Sequence, residues 1–236
     1  EIATPQITKT LINTSYGGTE TLLPGDPGYR PDANPNVLVG EVLTYEIRVN
    51  IPRGVANDVV VYDDTDFLTE IGAQGTVGIV SVDRITLGAA LQFDPTTTFA
   101  TAITDTNGDG VANRLSIDFG TISNIATSPV PDPDDESIVI ILRVQVLNRL
   151  ETDDGDVQTN GTAVTFTVGE TPNFNRPEED PTITIHEPAI DIVKTATTPD
   201  STTDAGDVVT YKLTLRHNGT SSADGFSLDL TDVLPV

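Results

Sequence analysis

The chain has 236 residues, with 36 Asp and Glu against 12 Lys and Arg and a formal net charge of −24. Nucleic acids and anionic lipid faces are bound through clustered cations, so this composition excludes both as partners. The absence of Cys, Met and Trp removes disulfides, thiol nucleophiles, thiolate metal sites and iron–sulfur clusters.

In chain order, Ile7-Thr8-Lys9-Thr10 reads as a leading strand. The segment from Thr10 to Val39 is rich in Gly, Pro, Asn and Thr and reads as a long surface loop. Further strands are predicted at Val42–Asn50, Asp58–Asp63, Val77–Leu87, Arg114–Phe119, Ser137–Leu147, Thr162–Val168 and Thr182–Ile185. Ile190–Lys194, Val208–Arg216 and Phe226–Thr231 complete the set. A second loop is placed from Gly169 to Pro181, and His186-Glu187-Pro188 marks a boundary. Apolar runs such as Ile138–Leu142 are strand-sized, so no segment is expected to span a membrane. No stretch carries a capped helical period. The expected fold is therefore all-β, an immunoglobulin-like sandwich of antiparallel sheets.

An internal repeat sets the domain plan. Gly40-Glu41-Val42-Leu43-Thr44-Tyr45 recurs as Gly206-Asp207-Val208-Val209-Thr210-Tyr211, each preceded by a strand with Lys-Thr and followed by an apolar strand ending in Asp. The lysines Lys9 and Lys194 are 185 residues apart and the tyrosines Tyr45 and Tyr211 are 166 apart. The difference of 19 fits an insertion in the first copy's 10–39 loop. This gives one complete unit over 1–187 and the first strands of a second over 188–236, a segment expected to come from a longer tandem array. Glu1 is no initiator Met and no leader follows it, which fits removal of a signal peptide or excision from a longer chain.

These residues resemble the fimbrial isopeptide-forming domains and the related tandem repeat of prokaryotic surface proteins. The likeness lies in the leading strand with Lys, the Gly-Glu/Asp-x-Val-x-Tyr motif, and Thr231-Asp232-Val233-Leu234-Pro235, with Asp63-Asp64-Thr65-Asp66-Phe67-Leu68 as the looser first copy. The resemblance implies a Lys amine attacking an Asn side chain, with loss of ammonia and help from a nearby Asp or Glu. Its candidates here are Lys9, Asn160, and Asp63 or Asp64. That chemistry needs a neutral amine beside a protonated carboxyl, which burial favours for both groups.

Strand parity bears on the same residues without the family. Lys9 alternates with Ile7, Asn160 with Thr162, Val164 and Phe166, and Asp63 with Val59 and Val61, whereas Asp64 follows Val60 and Tyr62. There are three lysines against nine arginines, and two of the three hold the same repeat position. An arginine there would stay charged. Lys194 has no partner for such a bond in this segment. Asn160-Gly161-Thr162 also matches a glycosylation acceptor, a use incompatible with a cross-link.

Asp105-Thr106-Asn107-Gly108-Asp109-Gly110-Val111 places oxygen ligands at alternate positions with Gly sixth, as a calcium loop does. Asp105, Asn107, Asp109 and Val111 are the expected ligands, completed by Asp118. Calcium is the cofactor this pattern suggests. The acidic clusters Asp132–Glu136 and Asp153–Asp156 read as solvated turns. His186 and His217 stand without a catalytic or metal motif. Asp63-Asp64-Thr65-Asp66 would serve glycoside hydrolysis only with sugar-stacking aromatics that the chain largely lacks. The resulting expectation is a structural repeat of an extracellular fibre, pilus or cell-surface stalk of a prokaryote, partnered by neighbouring repeats or subunits. It is no enzyme beyond self-catalysed bond formation. The alternative is an adhesin module binding a glycan or host protein through its loops.

Overall fold

Short runs of Val, Ile, Leu and Thr, with inward and outward residues alternating, dictate strands throughout. The computed structural model describes residues 4–15, 36–64, 77–93, 99–149, 154–168, 170–178, 180–198, 204–219 and 228–233. Among these residues there is no helix, so none is long and apolar enough to cross a membrane.

The described strands are β1 (Gln6–Ser15), β2 (Asn36–Leu38), β3 (Val42–Asn50), β4 (Gly54–Asp64), β5 (Val77–Leu87), β6 (Leu91–Phe93), β7 (Ala100–Thr104) and β8 (Arg114–Asn124). They continue as β9 (Ser137–Val146), β10 (Val157–Thr159), β11 (Gly161–Val168), β12 (Thr171–Asn175), β13 (Thr182–His186), β14 (Ile190–Thr197) and β15 (Thr210–His217). One sheet is ordered β1-β3-β9-β5 and the other β12-β11-β4-β8-β6, with β7 also paired to β8. Their inner faces form the core. Ile7, Leu43, Ile47, Val49, Ile138, Ile140, Leu142 and Val144 come from the first sheet, and Val59, Val61, Leu115, Ile117, Phe119 and Val164 from the second. A small sheet, β10-β13-β2, flanks these two, and β14 pairs with β15 as a separate hairpin.

The repeated Gly-acid pair is a turn device. Gly40 sits at φ 91° and Gly206 at φ 108°, backbone angles that suit a residue without Cβ. The Glu41 carboxylate accepts the Leu38 N–H at 2.8 Å while the Glu41 N–H donates to the Leu38 carbonyl at 3.0 Å. Asp207 repeats both contacts with Asp204, at 2.7 and 3.1 Å. The motif thus closes the turn that launches the Tyr-bearing strand.

Several expectations are corrected. The 10–39 segment is not one loop: β1 continues to Ser15 and β2 occupies Asn36–Leu38, while 16–35 lie outside the described residues. Likewise, the loop expected at 169–181 contains β12, which pairs with β11 and carries an exposed Phe174. Residues 228–231 form no strand, and 226 and 227 lie outside the described residues. One pairing, β13 with β2, is parallel rather than antiparallel. The two strands are far enough apart in sequence for a crossover connection, which a parallel pair requires. Finally, Glu136 is not a solvated turn residue. It is buried, accepting from Arg53 Nη2 at 2.9 Å and from Asn124 Nδ2 at 2.8 Å. Those two hydrogen bonds, from Arg53 first and then Asn124, hold its carboxyl down at about 2.

Candidate functional site

Four side chains from four separate stretches of sequence meet between the two sheets. Lys9 points inward from β1, whose residues alternate strictly between exposed and buried up to Leu11. Antiparallel pairing sets Lys9 opposite Ile47 and Leu11 opposite Tyr45. Lys9 and Tyr45 are therefore diagonal neighbours on one face, with the Lys9 Nζ 4.7 Å from the centre of the Tyr45 ring. Across the core, β4 presents Asp63 opposite Thr162 of β11. Asn160, two residues before Thr162, lies diagonally beside Asp63 on the same face, and its backbone N–H donates to the Pro181 carbonyl at 3.2 Å.

Lys9 Nζ donates to Asp63 Oδ2 in a very short contact, and both side chains are wholly excluded from solvent. Burial lowers the Lys9 pKa, opposed chiefly by the charge of Asp63. Burial likewise raises that of Asp63, opposed chiefly by Lys9. Both shifts favour the neutral forms, so the pair can place its shared proton on the carboxyl and leave an amine with a free lone pair. Asn160 is buried, and neither polar atom of its amide has a hydrogen-bond partner of good geometry, nor has Asp63 Oδ1. The amide is nevertheless close enough to Asp63 to lower that carboxyl's pKa. The Asn160 amide thus adjoins the same carboxyl as the lysine. The arrangement can support nucleophilic attack of an amine on an amide with a carboxyl as proton carrier.

Asp64, the neighbouring candidate, faces the other way. Its Oδ2 accepts from Arg114 Nε at 2.8 Å and Nη2 at 2.5 Å on the outer side of the sheet. Sequence reasoning did not assign a role to Tyr45, although it stood in the repeated motif, nor to Asp180. Asp180 adds to the negative field at Lys9 and accepts from the Thr162 N–H at 3.3 Å.

Lys194, for which this segment offers no Asn to bond with, forms an ion pair with Asp232. Its Nζ lies 2.5 Å from Asp232 Oδ1 and 4.6 Å from the centre of the Tyr211 ring. His186 is also accompanied, its Nδ1 lying 3.1 Å from Asp154 Oδ1.

The 105–111 loop is closed on itself. Asp105 accepts from the Gly108 N–H at 2.6 Å and the Gly110 N–H at 2.8 Å, Asn107 from the Asp109 N–H at 3.2 Å, and Asp109 from the Val111 N–H at 2.8 Å. The Gly110 contact, first, and the other backbone N–H groups lower the Asp105 pKa. Arg149 Nη1 donates to Asp109 Oδ2 at 2.7 Å, setting a cation within the loop. Asp118 is not brought there. It is exposed on β8 opposite Ala100, four residues along from the Arg114–Thr104 pair that opens the loop, roughly 13 Å away at strand spacing. Among the described residues no three His, Asp or Glu side chains converge as a metal site.

No known protein family matches the chain, and no curated protein sequence matches it. Solved structures of similar shape include BcpA, the major pilin subunit of Bacillus cereus, at 12% identity and TM-score 0.46, covering 91% of this chain and 55% of that one. Full-length SpaD, a major pilin of Corynebacterium diphtheriae, matches at 14% identity and TM-score 0.37, covering 86% and 40%. A family 123 glycoside hydrolase of Clostridium perfringens matches at 12% identity and TM-score 0.33, covering 78% and 28%. The chain thus spans little more than half of the BcpA structure and less of the other two. None of these likenesses carries a functional assignment.

Proposed function

We propose that this chain is a load-bearing β-sandwich repeat of a prokaryotic surface fibre, in which Lys9 and Asn160 become joined by an isopeptide bond with Asp63 as proton carrier. The observation that supports it is the solvent-free Lys9–Asp63 pair with the buried Asn160 amide beside the same carboxyl. In the proposed step, Lys9 Nζ attacks Asn160 Cγ, so that an N–C bond forms and the Cγ–Nδ2 bond breaks. Asp63 relays the proton lost by Nζ to Nδ2, which leaves as ammonia. No oxidant or cofactor is required. The product ties β1 of one sheet to the start of β11 in the other, so tension along the chain would meet a covalent bond instead of peeling hydrogen-bonded strands apart. An extracellular location and partnership with further repeats or subunits follow from the same reading.

The test is the intact mass of the purified, denatured chain. The expected value is one ammonia below that calculated from the sequence, with a branched peptide joining Lys9 to Asn160. An unmodified mass would remove the covalent mechanism.

Calcium at the 105–111 loop is a separate proposal. Asp105, Asn107, Asp109 and the Val111 carbonyl would supply four oxygens where six to eight are usual, water would supply the rest, and Arg149 must release Asp109. The expected signature is weak binding, with Kd of about 0.1–1 mM, that tightens in Arg149→Ala. Calorimetric titration showing no calcium binding to either protein would eliminate the site.

A further inference from the structure

Neighbouring residues of β4 point to opposite faces of their sheet, so Asp63 looks into the core and Asp64 looks out. On that outer face β4, β8, β11 and β12 border a hollow of about 360 Å³, and none of Lys9, Asp63 and Asn160 lines it. Pairing sets Ala163 of β11 opposite Tyr62 and Thr165 opposite Phe174. The strands that carry the two rings, β4 and β12, run on either side of β11 and so lie roughly 10 Å apart, with the small Ala163 side chain between them. Two features mark the hollow as a binding site. Phe174 is 64% exposed, whereas every other described phenylalanine is buried or packed against the core. Second, in a chain of net charge −24 the charged side chains lining the hollow are two arginines, Arg114 and Arg176, and one acid, Asp64. Arg114 spends Nε and Nη2 on Asp64, which leaves its Nη1 outside that pair, and Arg176 is exposed.

We infer that this hollow binds an acidic peptide segment of a partner protein, with a large apolar side chain seated between Tyr62 and Phe174 and flanking carboxylates on Arg114 and Arg176. Ligand sites are commonly apolar hollows of roughly 300–1,000 Å³ that carry a few placed polar groups, and apolar surface dominates this lining. A sugar would find few partners for its hydroxyls here, because the Thr165 hydroxyl is turned to the Val60 carbonyl at 3.5 Å and Asp64 is held by Arg114. An apolar side chain needs none. Its burial against Phe174 takes an exposed ring out of water, and guanidinium groups bind carboxylates through directed, charge-assisted hydrogen bonds. The acidic remainder of the surface repels such a segment, so charge steers it to the place where the cations sit. The site lies on the opposite face of β4 from the Lys9–Asp63 pair and does not depend on the bond proposed there.

The experiment titrates the full, isotope-labelled chain with the capped tripeptide Glu-Phe-Glu and follows backbone amide shifts by NMR. Saturable shifts centred on residues 62–64, 163–165 and 174–176 are expected, with Kd on the order of 1 mM. The capped peptides Lys-Phe-Lys and Glu-Gly-Glu should bind at least tenfold more weakly. Arg176→Gln should weaken Glu-Phe-Glu roughly tenfold, and Phe174→Ser at least as much. Both side chains are exposed, so each variant should melt within about 2 °C of the parent. No saturable shift with Glu-Phe-Glu, or equal binding of Lys-Phe-Lys to the parent chain, overturns the inference. Undiminished binding to both variants places the peptide elsewhere and overturns the site. Glucuronic acid binding the hollow more tightly than Glu-Phe-Glu overturns the peptide in favour of an acidic sugar.

Discussion

Asn160→Ala is expected to lower the melting temperature by roughly 10–20 °C and to restore the mass calculated from the sequence. The reason lies mainly in the unfolded chain. A bond from Lys9 to Asn160 closes a loop of about 150 residues, and by chain entropy a cross-link of that span stabilises the folded state by about 5 kcal/mol. For a domain of this size each kcal/mol moves the midpoint by about 2–4 °C. The folded structure loses little else. The Asn160 amide has no hydrogen-bond partner of good geometry to forfeit, and its backbone contact to Pro181 does not depend on the side chain. Thermal melts paired with intact-mass measurement of parent and variant decide the matter. Equal melting temperatures, with parent and variant each at the mass calculated from its own sequence, would mean that the buried site is a non-covalent feature of the core.

The second large effect concerns the ion pair itself and is best read in the Asn160→Ala background, where no covalent contribution enters. There, Lys9→Met is expected to cost about 3–5 kcal/mol, because it strands the Asp63 carboxyl in a solvent-free core. The double variant Lys9→Met/Asp63→Leu should recover most of that loss, since replacing a buried pair by packed apolar groups is often neutral or better. The pH dependence has a definite sign. Burial raises the folded-state pKa of Asp63, and removing Lys9 takes away the main influence that lowers it. The folded variant therefore holds a proton more tightly than the unfolded chain does. Its stability is full below the ordinary carboxylate pKa of about 4 and declines as pH rises through the Asp63 value in the fold. Denaturant unfolding of Lys9→Met should thus show a loss relative to the double variant that grows as pH rises above about 4. Parallel curves for the two would contradict a stranded carboxyl.

Parity placed Lys9, Asp63 and Asn160 on inward faces and put Asp64 out of phase with Asp63, because side-chain direction in a strand alternates with period two. That rule was usable at Asp63 only because the irregularity in β4 lies upstream. Asp58 takes φ 52° and the register against β8 slips between Ala56 and Val59 and again between Val59 and Val60, after which the pairing runs unbroken to Asp63. The repeat marked Gly40-Glu41 and Gly206-Asp207 as equivalent positions, and the structure makes each of them a turn closed by a positive φ and a carboxylate three residues after its N–H donor. Short edge strands were not legible in the same way. β7 has no buried residue and β12 is almost wholly exposed, so neither writes an apolar alternation into the sequence; their pairing partners β8 and β11 hold them.

The sequence by itself determined the all-β class, the repeated strand unit and the inward phase of Lys9, because each depends on residues within one strand or one short motif. The tertiary structure alone decided that Lys9 meets Asp63 from 54 residues away, that Asp64 is claimed by Arg114, that Arg149 reaches Asp109, and that Glu136 is buried among Arg53 and Asn124. Those choices depend on which strands become neighbours and on which faces the packing of two sheets closes to water. Burial, which favours the neutral forms of Lys9 and Asp63, exists only once both sheets are in place.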